Sequence, residues 1–430
     1  MDTHIRQCMP ELEINVRSEI GILDAVLLHR PGAEVENMTP RNVQRALYSD
    51  ILNLSIAREE YSELSGTLKR ICKVFEVTDL LRKVLDKPKA REELVRRICV
   101  SEGVTSYMDM LMDMNSAELA RVLIEGLPAR VDTLTAYLKN EYYALYPLYN
   151  FYFTRDAAVT VGNHALICRM ANKVRMRESL IMNAIYRDSG VFSCSVVDVN
   201  DFQGEDSKVI MEGGDILIAR DDILVIGNGV RTTPQGIDFM VERFRRSAPP
   251  GRSYVLVQQL PSEPESFIHL DMVFTLLDRD KCMVFKPLIM QANQYQTVQI
   301  TIDDGNVISI KPVAGLLHAL KKLGMELEPI VCGGPDEWDQ EREQWHSGAN
   351  FFAFAPGKVL TYGRNIHTLE QLDKNGFEIV QASSFIAGAS DSAVFGPKRC
   401  AVAIDGSELP RGGGGARCMT MPLSRRPVEW

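Results

Sequence analysis

No apolar run in this chain approaches the roughly 18 residues that a membrane-spanning helix needs. Its first residues, MDTHIRQCMPELE, also lack the apolar core of a secretion signal. These two absences predict a cytoplasmic protein with no membrane partner. A surplus of positive charge is missing as well: 48 Lys and Arg stand against 57 Asp and Glu, for a formal charge of −9. Nucleic acids reward a concentrated positive surface, so none is expected as the main partner. There is no CxxC pair, no HExxH and no His/Cys cluster at ligand spacing, which predicts no metal. The nine cysteines, at 8, 72, 99, 168, 194, 282, 332, 400 and 418, are odd in number and read as reduced thiols rather than a disulfide framework.

What is present suffices for a large core. The 430 residues are 45% hydrophobic and 24% charged, ordinary globular usage. ILDAVLLH at 22–29 reads as a buried strand ended by the RPG turn. From about Asn53 to Lys73, and again from Pro88 to about Tyr146, Leu, Glu, Lys, Arg and Met recur at helical spacing. Asn115, three residues before Glu118, has the form of a capped helix start. Residues 78–148 are therefore read as an all-helical insertion domain, and 1–77 with 149–430 as the α/β body.

Past Pro147 the character changes to short apolar strands broken by tight turns. FTRDAAVTVGNHALICR, EGGDILIARDDILVIGN and HLDMVFTLLDRDKCMVFKP each set an Asp (156, 215, 271) before a strand, then a polar turn, then a second strand, at steps of 59 and 56 residues. A helix, TPQGIDFMVERFRRS, and a strand, SYVLVQQL, follow the second hairpin. Repetition at this interval points to a radial, pseudo-symmetric array rather than one open sheet. NFFAFAPGKVLTYGRN is a weaker fourth copy, and ILDAVLLH a candidate first, with the helical region inserted within or just after it. Five units around an axis fit, although arithmetic alone leaves the number open.

Asp156, Glu212, Asp215 and Asp271 stand at repeated strand starts and would converge if the repeats are radial. Any one could merely cap a turn. Together, buried acids repel and raise one another's pKa unless a cation lies between them, so they call for a cationic ligand. His269 lies two residues before Asp271, on the same face of an extended chain, a setting suited to a general acid/base. The other six histidines (4, 29, 164, 318, 346, 367) show no comparable setting. In LPRGGGGARCMTMPL, four glycines precede Ala416, Arg417 and Cys418, which reads as a mobile loop carrying a nucleophile. The remaining cysteines read mostly as core residues. A thiolate, a His beside an acid and a carboxylate cage suggest a planar cation attacked at carbon, an amidine or guanidinium.

At this point the sequence resembles the bacterial-type arginine deiminase family of guanidino-group-modifying enzymes, the penteins. The resemblance rests on LLHRPGAEVENMTP, PLYNFYFTRD, VRMRES, MEGGDILI, HLDMVFTLLD, REQWHSGAN and RGGGGARCMTMPL, in order along nearly the whole chain. It implies a five-bladed pseudo-symmetric α/β propeller with a helical insertion, and hydrolysis of L-arginine to L-citrulline and ammonia without a cofactor. By motif, it implies that Cys418 attacks the guanidinium carbon and His269 transfers protons. Asp156 and Asp271 would grip the guanidinium nitrogens, with Glu212 supporting the cation and His269. It further implies that Arg175 and Arg231 hold the substrate α-carboxylate, that Asn150, Phe153 and Asp215 complete the pocket, and that the protein is a homo-oligomer. The usual FDD and EHD patterns are replaced by YSD at 48–50 and EEY at 59–61, the usual Asn/Asp after REQW by His346 and Ser347, and an Arg found in some members by Gly413. These departures are expected at the pocket rim or gate. The stretch 384–400 looks longer than one connection requires, as a lid or an assembly surface would. A methylated arginine or agmatine as substrate, amidino transfer to an amine, and a non-catalytic arginine-binding protein are the alternatives. The arginine pair disfavours agmatine, and the presence of Cys418 and His269 disfavours the last.

Overall fold

The computed structural model describes residues 12–38, 47–48, 50–139, 142–201, 208–247, 249–264 and 267–430. Its strands are short and apolar on both faces, as in Ile216–Arg220 and Ile223–Asn228, the pattern of sheets covered on both sides. They form repeated units of one plan: two antiparallel strands, a helix, then a strand parallel to the second. Ala158–Val161 and His164–Ile167 are followed by the helix Met176–Asp188 and the strand Ser195–Asp198. Ile216–Arg220 and Ile223–Asn228 are followed by Pro234–Ser247 and Arg252–Gln259. Phe274–Leu276 and Lys281–Val284 lead to Leu316–Lys322 and Glu328–Val331. In the fourth unit, Phe352–Ala355 and Lys358–Tyr362 lead through Ile366–Lys374 to Glu378–Gln381 and Cys400–Ile404. A fifth joins the two ends of the described chain: Met421–Arg425 pairs antiparallel with Leu23–Leu28, which continues through Leu54–Ile71 to the parallel strand Lys73–Glu76.

The expected repeat is therefore present, with one refinement. Asp156, Asp215 and Asp271 each lie in a single helical turn, Thr154–Ala157, Gly213–Asp215 and Leu270–Met272, immediately before the hairpin. The predicted cap at Asn115 forms, and Asn53 caps the helix Leu54–Ile71 in the same way. The Asn53 side chain accepts from the Ser55 and Ile56 amides, and the Asn115 side chain accepts from the Glu118 amide at 2.9 Å.

Val77–Leu85, Pro88–Glu102, Met108–Asp113 and Ser116–Glu125 are helices. The 78–148 region is not wholly helical, because Leu127–Pro128 pairs with Tyr143–Leu145. Pro128 offers no amide to extend a helix. Buried residues of these helices, Leu80, Leu81, Ile98 and Leu123 among them, belong to the same apolar cluster as the sheet residues Ala165 and Ile167. A further hairpin, Thr297–Asp303 with Asn306–Val313, extends the second sheet beyond Arg252–Gln259. Asp304 and Gly305, at φ 44° and 77°, make its turn.

The long stretch 384–400 connects the parallel neighbours Glu378–Gln381 and Cys400–Ile404. Parallel strands require a crossover of a dozen or more residues, which accounts for its length. Arg70 ties it down through the Phe385 carbonyl and a two-pronged pair with Asp391 at 2.7 and 2.9 Å. It contributes nothing to the cavity described next. No described helix is long and apolar enough to cross a membrane.

Candidate active site

Cys418 ends a loop that begins in the 3-10 turn Leu409–Gly412. Gly413 takes φ 80°, a conformation that disfavours side chains. A Cβ on Gly414 would stand 2.4 Å from Phe153 Cε1. Gly414 thus serves close packing, and Gly413 the backbone conformation of the loop. Glu60 accepts from the amides of Ser407, Glu408 and Leu409 at 2.6, 3.0 and 2.9 Å, and the Tyr362 hydroxyl donates to the Gly414 carbonyl at 3.0 Å. Gly414→Ala is expected to displace the loop and lower kcat/KM by roughly 10²-fold, the scale of a 1 Å misplacement. Steady-state kinetics beside a thermal melt would check it; an unchanged kcat/KM would show that the close approach is unimportant.

Seven of the ten predicted site residues line one cavity: Asn150, Phe153, Asp156, Arg175, Arg231, His269 and Cys418. Glu212, Asp215 and Asp271 lie behind it, fully buried. The cavity measures about 40 Å³, room for a few waters rather than an amino acid, so a ligand of that size enters only if lining side chains move.

His269 Nε2 bonds Glu212 Oε2 at 2.9 Å and its Nδ1 lies 4.0 Å from Asp156 Oδ1. Burial pulls the imidazole pKa down, but Asp156, the bond from Glu212 and Asp215 outweigh it and hold it at about 9. Burial pushes Glu212 up; Arg231, His269 and Arg175 outweigh that and leave it at about 2. Burial raises Asp215 to about 7. Asp156, Glu212 and His269 place one ligand atom each within 4.8 Å of one another, spacing that could hold an ion. His269 bonds Glu212 directly, however, and Arg175 and Arg231 already pair with Asp156 and Glu212. No metal is assigned.

The two aspartates share one arrangement. Asp156 Oδ2 accepts from Arg175 Nη1 at 2.7 Å, and Asp271 Oδ2 accepts from Arg417 Nη1 at 2.8 Å. The other oxygen of each, Asp156 Oδ1 and Asp271 Oδ1, is buried with no hydrogen-bond partner among the described residues. Unsatisfied buried acceptors are costly, and a donor-rich ligand placed between them would relieve both. Cys418 Sγ lies 3.7 Å from Asp271 Oδ2. Burial raises its thiol well above the ordinary value, and Asp271 and Asp156 raise it further.

Two predicted pocket residues are already engaged within the protein. Asp215 does not line the cavity; its Oδ1 accepts from the Leu270 amide at 2.9 Å and so fixes the turn between His269 and Asp271. Arg175, expected to meet a carboxylate, is engaged by Glu178 at 2.8 Å, by Asp156 and by the Asn150 carbonyl at 3.3 Å. Arg231 is less committed, with Glu212 Oε1 at 3.5 Å.

Asn350, Glu178, Arg417 and Glu19 complete the site without having been singled out for it. Asn350 Nδ2 donates to Cys418 Sγ at 3.2 Å while its Oδ1 accepts from the Arg417 and Cys418 amides at 2.9 and 3.3 Å. Its place in REQWHSGAN was the available signal. The eight described cysteines are all free; Cys8 and His4 lie outside the described residues. His29, set aside in the sequence, is also buried against a carboxylate, with Nε2 3.3 Å from Glu34, away from the cavity.

Of the departures expected at the rim, Tyr48 and Tyr61 are interior. The Tyr48 hydroxyl donates to the Tyr149 carbonyl at 2.7 Å, and the Tyr61 hydroxyl accepts from the His29 amide at 3.1 Å. Ser347 is buried at φ 58°, His346 lies 3.3 Å from Arg364, and Gly413 lines the cavity. Ser49 lies outside the described residues.

Repeated hairpin–helix–strand units with acids at the hairpin starts define a class, the mixed α/β pentein fold. The product-bound N-terminal domain of ArgZ, an arginine dihydrolase from the ornithine-ammonia cycle in cyanobacteria, matches at TM-score 0.52 and 15% identity over 94% of this chain and 100% of that one. SxtG, an amidinotransferase of Microseira wollei, matches at 0.52 and 11% over 97% and 98%. Within that class, a family model described as arginine deiminase matches residues 44–425, and the chain belongs to the arginine deiminase family. The arginine deiminases of Bacillus cereus (strain ATCC 10987 / NRS 248) and Clostridium perfringens (strain SM101 / Type A) are 34% and 32% identical to it. Each alignment covers 96% of this chain, with 99% and 98% of the relative.

Proposed function

We propose that this protein hydrolyses L-arginine to L-citrulline and ammonia through a covalent intermediate on Cys418. The observation that carries the reading is the pair of half-anchored aspartates: Asp156 Oδ1 and Asp271 Oδ1 are unpartnered and buried beside the thiol and His269. A guanidinium presents N–H donors on two edges and would satisfy both. Its charge also offsets the carboxylates that hold the thiol proton, so the thiol gives that proton up to solvent and becomes the thiolate. The sulfur then bonds to the guanidinium carbon, His269 gives a proton to the departing nitrogen, and ammonia leaves a thiouronium ester. Water, losing its proton to the same imidazole, adds to that carbon, and C–S cleavage releases citrulline and the thiol. Arg231, with donors to spare, takes the α-carboxylate; Asn150 and Phe153 shape the pocket around it.

The five units are proposed to close around an axis as a five-bladed propeller formed by 1–77 and 149–430, with 78–148 as the insertion. A cytoplasmic homo-oligomer acting without a cofactor is the accompanying reading.

Incubation with L-arginine, agmatine and dimethylarginine separately, with ammonia and citrulline measured, tests the substrate. Absence of ammonia from arginine overturns it. Arg231→Gln is expected to raise the KM for arginine about 10- to 100-fold with kcat little changed, the range of one charge-assisted bond. An unchanged KM would remove Arg231 from the carboxylate site.

A further inference from the structure

Arg417 directly precedes the nucleophile and is only 1% exposed. Its Nε and Nη2 donate to the two oxygens of Glu19 at 3.1 and 3.0 Å, Nη2 also donates to the Ile216 carbonyl at 2.8 Å, and Nη1 meets Asp271 Oδ2 at 2.8 Å. The fork on Glu19 sets the guanidinium plane. That plane decides which oxygen of Asp271 is occupied and leaves the other free. Burial of so many charges is costly unless each is matched, and here the match runs from the segment just before Leu23–Leu28 to the catalytic loop.

We propose that Arg417, held by Glu19, is a positioning residue for arginine hydrolysis: it fixes Asp271 with one oxygen turned to the substrate guanidinium, and its fixed charge offsets the aspartates that face the Cys418 thiol. The proposal rests on the function proposed above. Around the thiol stand Asp271, Asp156, His269 and the phenols of Tyr152 and Tyr362. Around Arg417 stand Glu19, Asp271, Arg155 and Arg425. Burial and the two aspartates drive the thiol up, and Arg417 opposes them.

The test reads the pH dependence of Cys418 alkylation by iodoacetamide, followed on its own peptide by mass spectrometry, together with kcat and KM for L-arginine. Arg417→Gln is expected to move the thiol profile upward by at least about one pH unit, as the loss of a neighbouring opposite charge does. It should also lower kcat by roughly 10²-fold through misplacement of Asp271. Arg417→Lys keeps the charge without the fork, so it should restore the thiol profile and only part of kcat. Glu19→Gln removes the opposing anion and should shift the profile downward, an opposite sign that loosened packing does not produce. It also keeps the test decisive if Arg417→Gln does not fold. A thiol profile unmoved in both Arg417→Gln and Glu19→Gln overturns the proposal, as does a Lys variant that matches Gln. Since alkylation is read without substrate, a wild type that makes no citrulline overturns the proposed function and leaves the thiol comparison intact.

Discussion

Cys418→Ser is expected to abolish citrulline formation, by at least roughly 10⁴-fold, the scale on which removing a nucleophile that acts as a unit with its partners lowers kcat. The substitution is nearly isosteric at a site 3% exposed, and a serine oxygen could still accept from Asn350 Nδ2, which lies 3.2 Å from the sulfur. Folding should therefore survive and the loss be chemical. An alcohol is a far weaker acid than a thiol, and the two aspartates that raise the thiol would oppose an alkoxide still more. Acid quenching during turnover should give wild-type protein a mass adduct on the Cys418 peptide and the Ser variant none. Citrulline production by the variant within tenfold of wild type would sink the covalent mechanism. A normal rate without an adduct in the wild type would indicate direct attack by water.

Local chemistry was legible in the sequence where neighbours along the chain decide it. Asp156, Asp215 and Asp271 could be placed before hairpins because apolar runs and polar turns follow each of them, the helix from Asn53 follows from its side-chain spacing, and the Asn115 helix start follows from the cap residue itself. What escaped depends on contacts between distant segments. Arg417 meets Glu19 across 398 residues and Asp271 across 146; Asn350 reaches the nucleophile across 68. No spacing rule reports such pairs. Asp215 shows the same limit from the other side. Its repeat position equals that of Asp156 and Asp271, yet the Leu270 amide takes its Oδ1 and turns it from a pocket residue into a support. The hairpin at Thr297–Val313 escaped for another reason. Its outer strand is exposed over most of its length, so it lacks the one-sided alternation that marks a half-buried strand.

His269→Ala carries the second large expectation, a loss of about 10²–10⁴-fold in kcat, the usual contribution of a positioned acid/base. Its sign with pH follows from the surroundings of the ring. The imidazole is held at about 9, so at neutral pH it is protonated and ready to donate to the leaving nitrogen. Activity that needs this proton declines as pH rises through about 9. A bound guanidinium repels the imidazolium, so the limb for kcat lies below that of the free enzyme. On the acid side Glu212, at about 2, stays ionised through the range in which the protein would be assayed, and the pair holds. The same shifts act on stability. A His raised above its ordinary value of about 6.5 stabilises the fold fully below that value and loses the contribution as pH climbs through about 9. Glu212, depressed, contributes above its ordinary range and loses this only as pH falls through about 2. The pair is therefore strongest between mild acid and neutrality. His269→Ala should flatten the alkaline limb of kcat and lower the melting temperature more at pH 6 than at pH 9.5. A variant that keeps the wild-type limb would assign the proton to another group.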